Sequence, residues 1–220
     1  MGIRYRRAAA ALAALAMIVA CLPGFSAAAQ ERSGAAELPD GEAGSYVRYL
    51  QAHADAARPT DKIVLPADRT DAETTGVEPG VPDGAPLPDG GAAVTLNEGS
   101  TAVWTVDVPQ AGLYAVGFFY LPLPGKDVTI ERELRIGGVL PFSGSSAVLF
   151  SRRFCYDADV PTDDAGNELK PAQSEQAVWS FSLAGGAQEY EDEPYLYYFS
   201  AGRNTLTLSG GREPLAIAQI

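Results

Sequence analysis

The chain has 220 residues, of which 46% are apolar and 20% charged, and its formal charge is −12. That acidity sets aside nucleic acid as a partner, because neutralising phosphates takes clustered Lys and Arg. Its two cysteines, Cys21 and Cys155, are too few for a disulfide framework.

At the N-terminus, Arg4, Arg6 and Arg7 precede an apolar run from Ala8 to Leu22, followed by Pro23-Gly24 and small residues. This is the pattern of a secretory signal peptide over residues 1–29, cleaved after Ala27-Ala28-Ala29. The run is shorter than the ~20 residues a membrane-spanning helix needs. A competing reading takes Ile18-Val19-Ala20-Cys21 as a lipobox, with a lipid on Cys21 as the only link to a membrane. Either reading predicts an exported protein, extracellular or at the cell surface. Cleavage removes three arginines and no acid, so the charge moves from −12 to −15 and Cys155 is left as the single cysteine.

Residues 30–43 are small and charged, which predicts a disordered leader. Residues 44–220 then read as one module, a helix followed by a sandwich. Tyr46, Tyr49, Leu50 and His53 fall on one helical face, with Ser45 as N-cap and Pro59 as the stop. Lys62 to Pro66 is expected as a short strand. Thr74 to Gly91 is so dense in Pro and Gly that a long irregular loop is expected. Ala92 to Leu96 is extended, and Asn97-Glu98-Gly99 is read as a turn.

The block from Gly99 to Phe142 carries the clearest pattern. Thr101 to Val108 alternates, with Ala102, Trp104, Val106 and Val108 on one face; Pro109 to Gly112 turns; Leu113 to Leu121 is apolar on both faces. Val128 to Ile136 alternates again, but Arg132 stands in phase with Val128, Ile130, Leu134 and Ile136. In Ala147 to Phe154, Arg152 is likewise in phase with Val148, Phe150 and Phe154. Cys155 to Gln176 is an acidic loop. Ala177 to Leu183 is a strand with Ala177, Trp179, Phe181 and Leu183 on its apolar side, and three further strands follow from Tyr195 to Ile220. About nine short strands and one helix predict an all-β fold, an antiparallel jelly-roll sandwich.

A guanidinium on an apolar strand face is costly unless it is paired or lines a wet cleft. Two readings of Arg132 and Arg152 follow. In one, an inward acid such as Glu175 or Glu213 neutralises each and locks the strands together. In the other, they line a cleft and donate to sugar hydroxyls or a uronic carboxylate, with Glu213 beside them. Aromatic rings are what the apolar face of a pyranose stacks on. Trp104 and Trp179 are in phase with apolar neighbours and are read as core, with Trp179 also kept as a ligand candidate. Tyr190, in a polar connection, is the preferred stacking residue, and adjacent Tyr197 and Tyr198 must point to opposite faces. Asp157, Asp159, Asp163 and Asp164 are candidate ligands of a structural calcium, although their spacing is not that of an EF-hand. No other cofactor is expected. His53 is the single histidine and lies on the helix, so nothing supports a Ser-His-Asp arrangement and a non-catalytic protein is expected.

The run GS..VWTVDVP.AGLY with its Tyr-rich strand resembles galactose-binding-like β-sandwich modules, including carbohydrate-binding modules of families 6 and 35. SYVRYL, VDVPQAGLY, TIERELRIGGVLPF, LFSRRF, GNELKPAQSE, EPYLYYFSAGRNTLTL and REPLAIAQI together resemble, over Ser45 to Ile220, the sandwich near the N-terminus of large bacterial extracellular solute-binding proteins of carbohydrate ABC transporters. The resemblance implies the fold and a carbohydrate or cell-surface glycan context. The two lobes that hold the transported solute in that family are not in this chain, which is expected to be a free-standing module or a truncated member. The alternative is a structural or protein-interaction sandwich with no sugar site.

Overall fold

The computed structural model describes residues 44–126, 128–156, 160–185 and 193–220. The segments expected as signal peptide and leader, with Cys21, and Asp157, Asp159 and Tyr190 lie outside the described residues.

One strand organises the fold. β2 runs unbroken over Val94–Val108, and the expected turn at Asn97 to Gly99 is instead a bend within it. Gly99 takes φ +69°, a left-handed conformation that only glycine adopts cheaply. On its N-terminal half β2 pairs with β1 (Thr75–Pro79) and with β12 (Leu215–Gln219). On its C-terminal half it pairs with β11 (Gly202–Ser209), in a register that sets Trp104 opposite Leu206. A strand that bends and changes partners is how a sandwich turns its corner.

Beyond β11 lie β5 (Ile130–Ile136) and β6 (Val148–Phe150); beyond β12 lie β4 (Gly117–Pro122) and β9 (Ser180–Leu183). All of these pairings are antiparallel. Trp104, Leu134, Val148 and Leu206 from one side close on Phe118, Tyr120, Leu215 and Ile217 from the other, forming a single core. Among the described residues the fold is thus the expected all-β antiparallel sandwich with one short α-helix. Trp104 is core, and its indole N–H, which cannot be left unpaired there, donates to the Ala67 carbonyl at 2.9 Å.

Several boundaries differ from expectation, each for a local reason. The Pro/Gly-rich stretch does hold a strand, β1: it sits beside β2 with a register shift at Gly76, where a left-handed residue and Pro79 are tolerated. Leu113 to Leu121 is two strands, β3 (Gly112–Ala115) and β4, because the chain leaves β10 (Leu196–Phe199) as partner and takes up β12 and β9. Phe154 leaves the apolar face of β6. It belongs to a separate exposed hairpin, β7 (Phe154–Tyr156) with β8 (Gln173–Glu175), inside the expected acidic loop. Lys62 to Pro66 forms no named strand, although Leu65 exchanges backbone hydrogen bonds with Ile220 at 2.8 and 2.9 Å.

Helix α1 (Tyr46–Ala52) has the expected Ser45 cap and lays its tyrosines on Phe142 and Tyr195. No helix of the described residues is long and apolar enough to cross a membrane.

Candidate functional site

The two inward-phase arginines meet at one residue. Arg132 on β5 is 1% exposed, yet among the described residues no carboxylate is hydrogen-bonded to its charge. Its Nη2 donates to the backbone carbonyls of Glu213 (2.5 Å) and Leu96 (3.4 Å), and its Nη1 to the carbonyl of Glu131 (3.0 Å). Burial pulls its pKa down to about 10, against the pull of the nearby Glu213 charge, so it stays ionised at neutral pH. Its Nε is buried without a protein partner. The approach depends on Gly211, at φ +89°, since a Cβ there would lie 1.4 Å from Arg132 Nη1.

Arg152, just past β6, is held by side chains. Its Nη2 donates to Glu213 Oε2 at 2.5 Å and its Nη1 to Glu175 Oε1 at 2.6 Å, with Nη1 also on the Leu123 carbonyl at 3.1 Å. Glu213 is itself fully buried, and the Lys126 backbone N–H donates to both of its oxygens at 2.9 Å. Gly125 makes room for it, for a Cβ there would fall 2.1 Å from Glu213 Oε2. Two guanidinium groups and two carboxylates therefore balance, and they tie the β4–β5 connection, β5, β8 and the approach to β12 to one point. The donors of Arg152 are engaged within the protein, and this arrangement is a lock in form.

Trp179 is elsewhere. It is half-buried outside the core, stacked on Phe119 with ring centroids 5.5 Å apart, and its indole N–H donates to the Ala85 carbonyl at 2.9 Å. This corrects the core reading. The apolar side of Ala177 to Leu183 faces outward: β9 is the last strand of its sheet, and the buried places opposite it are taken by Phe118 and Tyr120 of β4. Phe181 is 64% exposed and Leu183 41%. The Phe181 ring rests over Gly117, where a Cβ would come within 2.4 Å of its Cζ.

Gly117, Phe119, Phe181 and Leu183, but not Trp179, line an apolar groove of about 350 Å³ that the sequence did not reveal. Val106, Val108 and Leu206 are buried at its floor, and Phe119, Phe181 and Leu183 stand along its side. Asp61, Lys62 and Gln219 supply polar groups at its edge. A concave, mainly apolar surface with a few polar groups is the usual form of a small-molecule site, and its volume is in the usual range of about 300–1,000 Å³. Alternation marked Phe181 and Leu183 as sharing a face. It did not say which face of an end strand is covered.

In the acidic loop, Asp163 closes a turn. Its Oδ1 accepts from the N–H groups of Ala165 and Asn167 at 2.9 and 2.8 Å, and its Oδ2 from Asn167 Nδ2 at 2.8 Å. These bonds, that from the Asn167 side chain first, hold its pKa below the ordinary value. Asp164 is exposed. Among the described residues no group of three or more His, Cys, Asp or Glu side chains is placed to hold a metal ion. Tyr197 and Tyr198 do point to opposite sides, Tyr197 into the core and Tyr198 onto the His53 ring.

No family model matches the chain, and no curated protein does. Among solved structures it is similar to a family 35 carbohydrate-binding module from Clostridium thermocellum, at 12% identity over 71% of this chain and 95% of that one, with a TM-score of 0.39. It is also similar to the C-terminal family 6 carbohydrate-binding module of the laminarinase LamC from Zobellia galactanivorans (14% identity, 71% and 94% coverage, TM-score 0.38). A third is a cycloisomaltooligosaccharide glucanotransferase of Paenibacillus sp. complexed with cycloisomaltoheptaose (13% identity, TM-score 0.46). The match covers 80% of this chain but only 23% of that enzyme. Likeness at this level carries no argument, and the reading of the site rests on its own geometry.

Proposed function

We propose that the chain is an exported, non-catalytic, carbohydrate-associated sandwich module, and that its ligand face is the groove beside β9. One observation carries this reading: an exposed phenyl ring, Phe181, stands over a glycine beside the Phe119–Trp179 stack, at the mouth of a groove of about 350 Å³. Sugars present an apolar ring face together with hydroxyls at the rim. The groove offers rings along its side and Asp61, Lys62 and Gln219 at the edge. A chain of formal charge −12 with one lysine at the groove favours a neutral saccharide over a uronate. The arginines are assigned to the lock, since Arg152 already spends its donors on Glu213 and Glu175.

The test is a glycan array followed by titration calorimetry on the purified chain, with Phe181→Ala beside it. Phe181 is exposed, so the variant keeps its fold. The expected result is at least a tenfold loss of affinity, about 1.4 kcal/mol. A folded protein that binds no saccharide overturns the proposal. The structural or interaction module then stands, a reading favoured by the same exposed apolar rim.

Kinship with the N-terminal sandwich of solute-binding proteins belongs to the same proposal and is supported by the quoted motifs between Ser45 and Ile220. N-terminal sequencing of the exported protein tests cleavage before Gln30. DNA beyond Ile220 encoding two solute-binding lobes would place the chain in that family.

A further inference from the structure

β10 is paired on one side only. Its register with β3 sets Leu196 opposite Ala115 and Tyr198 opposite Leu113. On the other side no strand is paired with it among the described residues. Main-chain groups on such an edge need acceptors from somewhere. Helix α1 supplies them from side chains. The Leu196 N–H donates to Tyr46 Oη at 2.9 Å, and the Tyr198 N–H donates to Tyr49 Oη at 2.6 Å. Alternate residues of a strand point their N–H groups the same way, about 6.8 Å apart. Tyrosines three apart on a helix are about 4.5 Å apart along its axis and share a face, and their long side chains cover the difference. Two phenol oxygens thus stand where a neighbouring strand would place carbonyls.

The helix that performs this is poorly secured by itself. It has seven residues, none of them buried, with no acidic residue in its first turn and no basic one in its last. A helix that short has no stability apart from what it packs on. Besides the two phenol hydrogen bonds, its attachment includes ring contacts, Tyr46 on Phe142 and Tyr195 at 4.7 Å each, Tyr49 on Phe142 at 5.1 Å and His53 on Tyr198 at 4.5 Å, and one backbone bond at each end. The end bonds run from Ser143 N–H to the Gly44 carbonyl (2.9 Å) and from Leu113 N–H to the Ala57 carbonyl (2.8 Å). By contrast, β11 is laddered on both sides, to β2 and to β5.

We propose that α1 is a strap over the outer edge of β10 that opens as a unit, ahead of the sandwich. Opening presents the Leu196 and Tyr198 amides and the Phe142–Tyr195 pad to solvent, while the core sheets stay closed. The device is a local-unfolding one, set by a seven-residue helix with no buried residue lying over strands that carry the core.

Native-state amide hydrogen exchange on the full chain tests this. In the unaltered protein, the Leu196 and Tyr198 amides are expected to exchange at least tenfold faster than those of Leu206 and Leu208. In the pair Tyr46→Phe with Tyr49→Phe, which keeps both rings and removes both acceptors, the gap should widen at Leu196 and Tyr198 and stay constant in β11. If all four amides exchange at one common rate in the unaltered protein, the strap opens only with global unfolding and the proposal falls. That comparison needs no variant, so a poorly folding double substitution leaves the outcome decided.

Discussion

Glu213 is the residue on which the polar interior turns. Its side chain holds Arg152 and the Lys126 amide, and its carbonyl holds Arg132, while Glu213 itself has no exposure to water. Removing one partner of a buried pair leaves the other charge uncompensated, at a cost of about 3–5 kcal/mol. Glu213→Gln is therefore expected to lower the urea-unfolding free energy by about 3 kcal/mol. Glu175 faces the same guanidinium from a position whose side chain is 20% exposed, where water offsets part of the loss. Glu175→Gln should cost about 1 kcal/mol or less. Equal losses for the two variants would mean that Glu213 is no more deeply committed than Glu175. Sequence phase alone brought Arg132 and Arg152 forward and suggested Glu175 and Glu213 as acids. It did not show that Arg132 is held by backbone carbonyls, because main-chain acceptors leave no residue-type signature.

At the scale of elements, the bend in β2 separates what periodicity reads from what it does not. Alternation from Thr101 to Val108 locates half of the strand and its core face, and Asn97-Glu98-Gly99 reads as a turn. Glycine in the left-handed region is compatible with both a turn and a bend, and only the partners on either side distinguish them: β12 before Gly99 and β11 after it. A Cβ at Gly99 would meet nothing within 4 Å, so the cost of Gly99→Ala is backbone strain alone. It is expected to be about 1–2 kcal/mol, read as a shift in the denaturation midpoint with an unchanged slope. A loss near zero would mean that the bend does not need the left-handed geometry. β9 was legible as a strand but not as an end strand. The outward turn of Trp179, Phe181 and Leu183, and with it the groove, follows from sheet order, which long-range pairing decides.

Over the whole molecule, the phenols give the sandwich a defined response to alkali. Burial is the first cause raising the pKa of Tyr49, Tyr120 and Tyr197 above the ordinary value of 10.0. A folded pKa above the unfolded one means that the native state keeps its proton longer. The stability these groups carry is complete below pH 10 and is lost as pH climbs through their folded values. Arg132 acts in the opposite sense: its folded pKa is lowered to about 10 from 12.5, so between those values the unfolded chain binds the extra proton and stability would rise. Three phenols oppose one guanidinium, and arginine in practice keeps its proton through this range. The phenols win. The melting temperature is therefore expected to be flat between pH 8 and 9 and to fall from about pH 10 upward. Tyr197→Phe should shallow that fall, because it removes the most deeply buried of the three hydroxyls. Circular dichroism melts across this range check both, and a melting temperature that rises above pH 10 would place the titration of Arg132 ahead of the phenols and reverse the assignment.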